Sequence, residues 1–253
     1  MKEILSKVFI KFLTLLHPRT RLTIGLSNEQ NRNLWIEGIL KSITPGLRIL
    51  DAGAGEQPYK IHCEHLEYVS QDFKQYQGEG DGSGLQKKKW DVSTIDIESD
   101  ITNIPVGDES FDVVMCTEVL EHVPDPVAAL KELNRILKPG GYLIITTPFC
   151  SLTHFAPFHF ATGFNKYFYD YWMSELNYEI LDLHANGSYY DYLAQEIARI
   201  ESVGKKYKNN AQFDGRFFYA KNSLLSKLHE LANIGESTSE LLCFGYHLFA
   251  QKR

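Results

Sequence analysis

Three features of the sequence predict an α/β fold built as a doubly wound, mostly parallel sheet. Short apolar runs that close on an acid or a threonine recur along the chain, stretches of helical period lie between several of them, and a glycine turn follows the first run directly. Strands alternating with helices imply parallel pairing, because a parallel pair needs a crossover long enough to hold a helix. The 253 residues are enough for one sizeable domain, or for a core domain with a large insertion.

In chain order, residues 1–17 come first. Ile4, Leu5, Val8, Phe9, Phe12, Leu13, Leu15 and Leu16 recur at roughly helical spacing, with Lys2, Lys7 and Lys11 on another face. The pattern predicts an amphipathic helix that packs on the domain or lies on an anionic membrane surface. It is too short and too charged to span a bilayer, and no small-residue cleavage site follows it. Residues 28–42 read as a helix with Leu34, Ile36, Ile39 and Leu40 apolar, stopped by Thr44-Pro45-Gly46. Strands are expected at 47–52, 66–72, 95–100, 111–117 and 142–147. Pro126 opens a helix over 126–137, and Lys138-Pro139-Gly140-Gly141 closes it. Residues 178–184 and 240–251 read as two further strands, which completes a seven-stranded, Rossmann-like sheet with an antiparallel C-terminal strand. Residues 77–89, QGEGDGSGLQKKK, stand where a crossover helix is expected and read as a mobile surface loop. The aromatic-rich stretch 150–239 reads as an insertion, with helices at 191–203 and 223–233, placed over the strand ends where open α/β sheets bind ligands.

Composition narrows the function classes. A formal net charge of −6 argues against a general nucleic-acid binder, which needs basic surface to displace counterions. Lys87-Lys88-Lys89 and Lys205-Lys206-Tyr207-Lys208 read as solvated surface. Cys63, Cys116, Cys150 and Cys243 show neither CxxC nor Cys/His spacing, so neither a zinc site nor a disulfide framework is expected, and a reducing cytoplasm fits.

The first glycine turn carries the chemistry. Residues 49–60 read ILDAGAGEQPYK, with Asp51 before Gly53 and Gly55, Glu56 after them, and no basic residue before Lys60. A dinucleotide would set its pyrophosphate on the backbone N–H groups behind these glycines. Each acid beside that anion would repel it by about 4 kcal/mol at about 4 Å and an effective dielectric near 20. S-adenosylmethionine carries a sulfonium and an ammonium against one carboxylate, so acids there favour it. Pro58 also occupies the third glycine position of the dinucleotide pattern. Asp72, some twenty residues on, suits the ribose hydroxyls of either ligand.

Three blocks in order resemble the class I S-adenosylmethionine-dependent methyltransferases of the type 11 family: ILDAGAGEQPY at 49–59, DITNIPVGDESFDVVMCTEVLEHVPDP at 100–126 and LKPGGYLIITTPF at 137–149. The resemblance covers the middle of the chain and fades after Pro157. It implies that Asp51, Ala52, Gly53 and Gly55 hold the methionine part of the donor, and that Asp72, followed by Phe73, accepts the ribose hydroxyls. It further implies that Asp100 and the backbone of Ile101 meet the adenine, with Thr117 and Glu118 where donor and acceptor pack together. Gln57 stands where many members have a third glycine. Glu118, Glu121 and His122 stand at an expected helix start, where acids cap well, and Glu121 is read as structural.

The acceptor side should come from the segment after the fifth strand. There His154, Pro157 and His159 match the spacing of a His-x-x-Pro-x-Asp stretch found in a subgroup of the family, with histidine in place of the aspartate. Either histidine could deprotonate a hydroxyl, and both are the catalytic candidates. Phe149, Phe155, Phe158, Phe160, Tyr167 and Tyr169 read as pocket lining or core, and Tyr189, Tyr190 and Asp191 as polar groups able to hold a sugar. The expected organisation is an N-terminal helical cap at 1–45 and a methyltransferase domain at 46–253, whose insertion at about 150–239 is the acceptor-side lid. The expected function is O- or N-methylation of a small molecule such as a sugar or glycan precursor. The alternatives are a lipid or quinone precursor met at a membrane surface through residues 1–17, and a non-catalytic scaffold that binds the donor. A cytoplasmic protein, peripheral to the membrane in the first alternative, is expected.

Overall fold

A computed structural model describes residues 23–253 apart from 77, 79, 86–88 and 209. The amphipathic helix expected at 1–17 therefore lies outside the described residues. The described residues divide into two compact units, one made of residues 23–29 and Gly187–Cys243, the other of Gln30–Asn186 and Phe244–Arg253.

The larger unit holds a seven-stranded sheet of β1 (Arg48–Ala52), β2 (Glu67–Asp72), β3 (Ile97–Glu98), β4 (Phe111–Thr117), β5 (Leu137–Pro148), β6 (Tyr178–Asn186) and β7 (Gly245–Lys252). Their spatial order is β3-β2-β1-β4-β5-β7-β6. β7 runs antiparallel to both of its neighbours, and the remaining pairs are parallel. The chain moves outward from β1 to β2 and β3, then returns to lay β4 on the other side of β1. That reversal opens a crevice at the carboxyl ends of β1 and β4, where such sheets bind ligands.

Burial explains the central strands. Ile49, Leu50, Val113, Val114, Met115, Cys116, Leu143, Ile144 and Ile145 are all fully buried, as expected of strands covered on both faces. Helix α1 (Asn28–Ser42) contributes Ile36 and Leu40, one turn apart, to the cluster around Ile49, Val113 and Met115. Helix α2 (Pro126–Ile136) starts where Asp125 accepts from Ala128 N at 2.9 Å, with proline in its first turn. It ends one residue before the expected boundary because Leu137 is already extended and opens β5. The glycine turn expected at 138–141 is absorbed into β5 as an irregularity: Phe111 pairs with Leu137, and Val113 next pairs with Tyr142.

Other departures from the sequence expectation have local causes. β3 is only Ile97–Glu98, since the Asp96 carboxylate turns back to accept from Ser70 N at 2.9 Å and Ser70 Oγ at 2.7 Å. β7 begins at Gly245, after a turn in which the N–H groups of Leu241 and Leu242 bond to Thr238 O. Helix α3 (Lys166–Glu175) was not expected; Asn165 caps it by accepting from Phe168 N, and Tyr169 and Met173 bury on one face.

The smaller unit pairs α4 (Tyr189–Tyr207) with α5 (Gly215–Ala232), both longer than expected from sequence. A reciprocal Ser188–Asp191 box starts α4, and Asp214 caps α5 by accepting from Arg216 N and Phe217 N at 3.0 Å. Ile24, Ala194, Leu225 and Leu228 form its core. Among the described residues no helix is long and apolar enough to cross a membrane.

Candidate active site

The turn after β1 is fixed by β2. Gly53 N and Ala54 N both donate to Gln71 O, at 2.8 and 2.9 Å. At Gly53, where φ is +76°, a Cβ would sit 2.5 Å from Val119 Cγ2, so only glycine fits. Gly55 N donates to Asp72 Oδ2 at 3.0 Å, and Lys74 N to Oδ1 at 2.8 Å, so the buried Asp72 carboxylate is held on both oxygens by backbone. Gln57 adopts φ +56°, the left-handed conformation natural to glycine. Its side chain anchors the turn, donating to Thr94 Oγ1 at 2.7 Å and accepting from Lys60 Nζ at 3.2 Å.

The two acids beside the turn are unequal. Glu56 is exposed and among the described residues meets Asp91 N, at 3.4 Å, so its charge is screened and the sequence-based repulsion overstated its share. Asp51 is enclosed. Its Oδ2 accepts from Tyr68 Oη at 2.6 Å, while the buried Oδ1 has no partner. Burial pushes its carboxyl up to about 7; the Tyr68 bond pulls the other way and the Asp72 charge adds to the rise. A buried carboxylate oxygen without a partner, beside a glycine turn, fits a cationic ligand and opposes a phosphate.

A cavity of about 240 Å³ opens above these strand ends. Of the residues singled out from the sequence, Gly53, Phe73, Asp100, Ile101, Phe158 and Phe160 line it. Val119, Val123, Pro124, Phe158 and Phe160 supply apolar wall, and Gln71, Gln75 and His122 polar groups. Asp100 is exposed, with Oδ1 accepting from Thr102 N and Thr102 Oγ1 at 2.8 Å. Ala52 ends β1 fully buried, and Thr117 ends β4. Glu118 follows at φ +56°, its N–H bonded to Thr146 O and its carboxylate 2.9 Å from the Arg32 guanidinium of α1.

The segment expected on the acceptor side is tied down by the turn after β4, where Phe160 N and Ala161 N donate to Glu121 O. Phe158 meets Phe73 edge-on at 5.1 Å, and Phe155 packs with Tyr76 and Trp90. The loop expected to be mobile is in its described part packed down: Leu85 N donates to Thr153 O, Phe155 N to Leu85 O, and a Cβ on Gly84 would meet Thr153 O at 2.3 Å. The remaining aromatic candidates divide. Tyr169 is core, sharing a 2.6 Å hydrogen bond with Thr147 Oγ1; Phe149 packs with Tyr246; Tyr167 is 73% exposed. Asp191 spends its carboxylate on the α4 cap, accepting from Ser188 N and Oγ.

His154 and His159 come together with a third histidine. Their ring centroids lie 4.9 Å apart, and that of His122 lies 4.6 Å from His154 and 5.9 Å from His159. The Nε2 of His159 is 3.2 Å from Ser151 Oγ. Nδ1 of His154 bonds Leu152 O and Nδ1 of His122 bonds Phe158 O; a carbonyl only accepts, so both rings carry their proton on Nδ1. Burial, with the His154 charge second, holds His122 down to about 3, and burial with the same neighbour lowers His159. Glu121 caps no helix. It belongs to a single tight turn at Leu120–His122, is fully buried, and neither carboxyl oxygen has a partner. Burial first, then the Glu118 charge, pushes its carboxyl well above the ordinary range. The sequence signal for this pair was a Glu-His step inside the apolar run VLEHV.

Residues 50–145 match the type 11 family model, described as a methyltransferase domain. A demethylmenaquinone methyltransferase of Clavibacter sepedonicus is 29% identical over 189 residues, which cover 72% of this chain and 70% of that protein. A protein of the same description from Staphylococcus haemolyticus is 33% identical over 131 residues, covering 49% of this chain and 53% of the relative, so the chain spans about half of that relative's length. Among solved structures, a SAM-dependent methyltransferase from Archaeoglobus fulgidus superposes with a TM-score of 0.51 at 16% identity, covering 90% and 93% of the two chains, a likeness of fold.

Proposed function

We propose that this chain, which belongs to the class I S-adenosylmethionine-dependent methyltransferases of the type 11 family, methylates an apolar ring-bearing molecule of the quinone-precursor class. The enzyme uses S-adenosylmethionine and acts on a small molecule. What supports the finer reading is the wall facing Gly53, where Val123, Pro124, Phe158 and Phe160 offer apolar and aromatic surface. The names of the relatives in Clavibacter and Staphylococcus lean the same way. A sugar acceptor, with hydroxyls on every face, finds little polar complement on that wall and is the weaker reading.

In this proposal Asp51, Ala52, Gly53 and Gly55 receive the amino-acid end of the donor, where the orphan Asp51 oxygen meets positive charge. Asp72, already positioned by Gly55 N and Lys74 N, keeps lone pairs for the ribose hydroxyls. Asp100 and Ile101, beside Phe73, border the adenine; Thr117 and Glu118 close the β4 end. When bound, the donor supplies a methyl group on a sulfonium, an electrophile for in-line displacement. The chain's own task is alignment, which can be worth about 7–11 kcal/mol, together with removal of the acceptor's proton. His159 and His154 remain the candidates for that base; His122 lines the cavity itself, but the burial that holds it down to about 3 makes it a poor one.

The test is methyl transfer from labelled S-adenosylmethionine to a reduced, unmethylated quinone, run beside a panel of nucleotide sugars. Label in the quinol fraction alone is expected. Label in the sugar fraction alone would overturn the acceptor class and leave the methyltransferase assignment standing.

A further inference from the structure

The Glu121–His122–His154 cluster has the composition and the protonation geometry of a metal site. One ligand atom from each of the three lies within 4.8 Å of the others. His122 donates Nδ1–H to Phe158 O, which leaves its Nε2 lone pair for a ligand, and His154 donates Nδ1–H to Leu152 O, which fixes its ring. Metal-bound imidazoles are oriented in this way, the second nitrogen being fixed by a carbonyl or carboxylate. Glu121 supplies the independent sign. Its side chain is 0% exposed and neither oxygen has a hydrogen-bond partner; His122 Nε2 is likewise buried and unpartnered, 3.7 Å from Glu121 Oε1. A carboxyl group enclosed without partners costs about 1–3 kcal/mol or more, and a bound cation would offset that cost.

We propose that Glu121, His122 and His154 bind a first-row divalent transition metal, with zinc favoured by the two-imidazole, one-carboxylate donor set. Ligands at about 2.0–2.1 Å from a tetrahedral ion stand roughly 3.4 Å apart, so the cluster closes by a little over an ångström on binding. His154 is half-buried, on the segment after β5. Three protein ligands leave one coordination position open, the arrangement of catalytic rather than structural zinc. Because His122 also lines the cavity, the open position borders the space where an acceptor hydroxyl must arrive. A bound ion would lower the pKa of that hydroxyl, its proton passing to solvent, and so do the work otherwise assigned to a histidine base. This last step rests on the proposed acceptor chemistry; the metal site does not.

Cobalt(II) titration of the chelator-stripped, full-length protein tests the site without any substrate. One equivalent should bind and give the visible absorption of tetrahedral cobalt with nitrogen and oxygen ligands. His154→Ala and Glu121→Gln should each weaken binding at least tenfold, with S-adenosylmethionine binding retained as evidence of folding. His154→Ala keeps the test decisive if the buried Glu121 variant does not fold. Less than about a tenth of an equivalent bound by the native protein, or equal affinity in folded variants, overturns the proposal. Methyl transfer that persists in chelator while cobalt fails to bind would remove the metal and leave the methyltransferase reading untouched.

Discussion

Asp72 and Glu121 are both buried carboxyl residues beside one crevice, and they are treated in opposite ways. Asp72 accepts a backbone N–H on each oxygen, at 3.0 and 2.8 Å. Glu121 accepts nothing on either among the described residues. The wall around Asp72, the proposed donor wall, is therefore complete before any ligand arrives, and binding there would draw on groups already fixed in place. The wall around Glu121 is incomplete, and its geometry becomes satisfied only when something enters. A finished wall suits a cofactor common to many enzymes, and an unfinished one suits the partner that differs between them.

Asp72→Ala should break the finished wall and give the largest effect. Two backbone N–H groups lose their acceptor at about 1–3 kcal/mol each, so stability should fall by about 2–6 kcal/mol. Donor binding by calorimetry should drop below detection. Unchanged affinity in a folded variant would remove Asp72 from the donor site and with it the contrast between the walls.

Asp51 sharpens the comparison, since it has one oxygen satisfied by Tyr68 and one not. Its folded pKa is raised to about 7 from 3.8. The unfolded chain gives up this proton near pH 4 and the folded chain keeps it until about pH 7. The contribution to stability is therefore complete below pH 4 and lost as pH rises to 7, about 4 kcal/mol in all. Chemical denaturation of Asp51→Asn and the native protein should diverge in favour of the variant across that window. A cationic donor reverses the preference, so native affinity should rise close to tenfold per pH unit between about pH 5 and 7. Parallel pH profiles for the two proteins would show that Asp51 meets no positive charge.

Gly53 tests how rigid the donor wall is. A Cβ at that position meets Val119 Cγ2 at 2.5 Å and Cγ1 at 2.9 Å, on a backbone at φ +76°. Gly53→Ala should cost about 1–3 kcal/mol and weaken donor binding roughly tenfold. Adding Val119→Ala should recover part of both losses, because the side-chain clash goes and the backbone strain stays. No recovery in the double variant would place the whole penalty in the backbone.

The same contrast accounts for what could be read in the sequence. α1 at Asn28–Ser42 and β4 at Phe111–Thr117 match the expected limits because their signals are local: helical period with a proline stop, and a short apolar run. α3 went unseen because KYFYDYWMSE is aromatic on several faces, and the Tyr169/Met173 pair is indistinct until the sheet beneath it is known. The proposed donor wall is contained in contiguous blocks, so a glycine turn and an acid at the next strand end are enough to suggest it. The Glu121 wall joins residues from two segments, after β4 and after β5, and only the parallel register of those strands brings His154 to His122. Spacing rules for metal ligands cannot detect such a set.

Gln57 carries the smallest expected effect and separates backbone from side chain in the donor wall. Replacing it with glycine relieves a left-handed conformation at φ +56°, worth about 1–2 kcal/mol. The same change removes the bonds to Thr94 and Lys60, at about 0.5–1.5 kcal/mol each, and loosens the unfolded chain by a further 0.5–1 kcal/mol or so. These contributions nearly cancel, so the melting temperature should move by only a few degrees. Donor affinity should stay within about threefold, because the backbone path is the one glycine prefers. A tenfold loss of affinity without a loss of stability would mean that the glutamine side chain, tethered to Thr94, holds the turn in the shape the donor needs. The donor wall would then owe its rigidity to a side-chain strut as well as to its glycines.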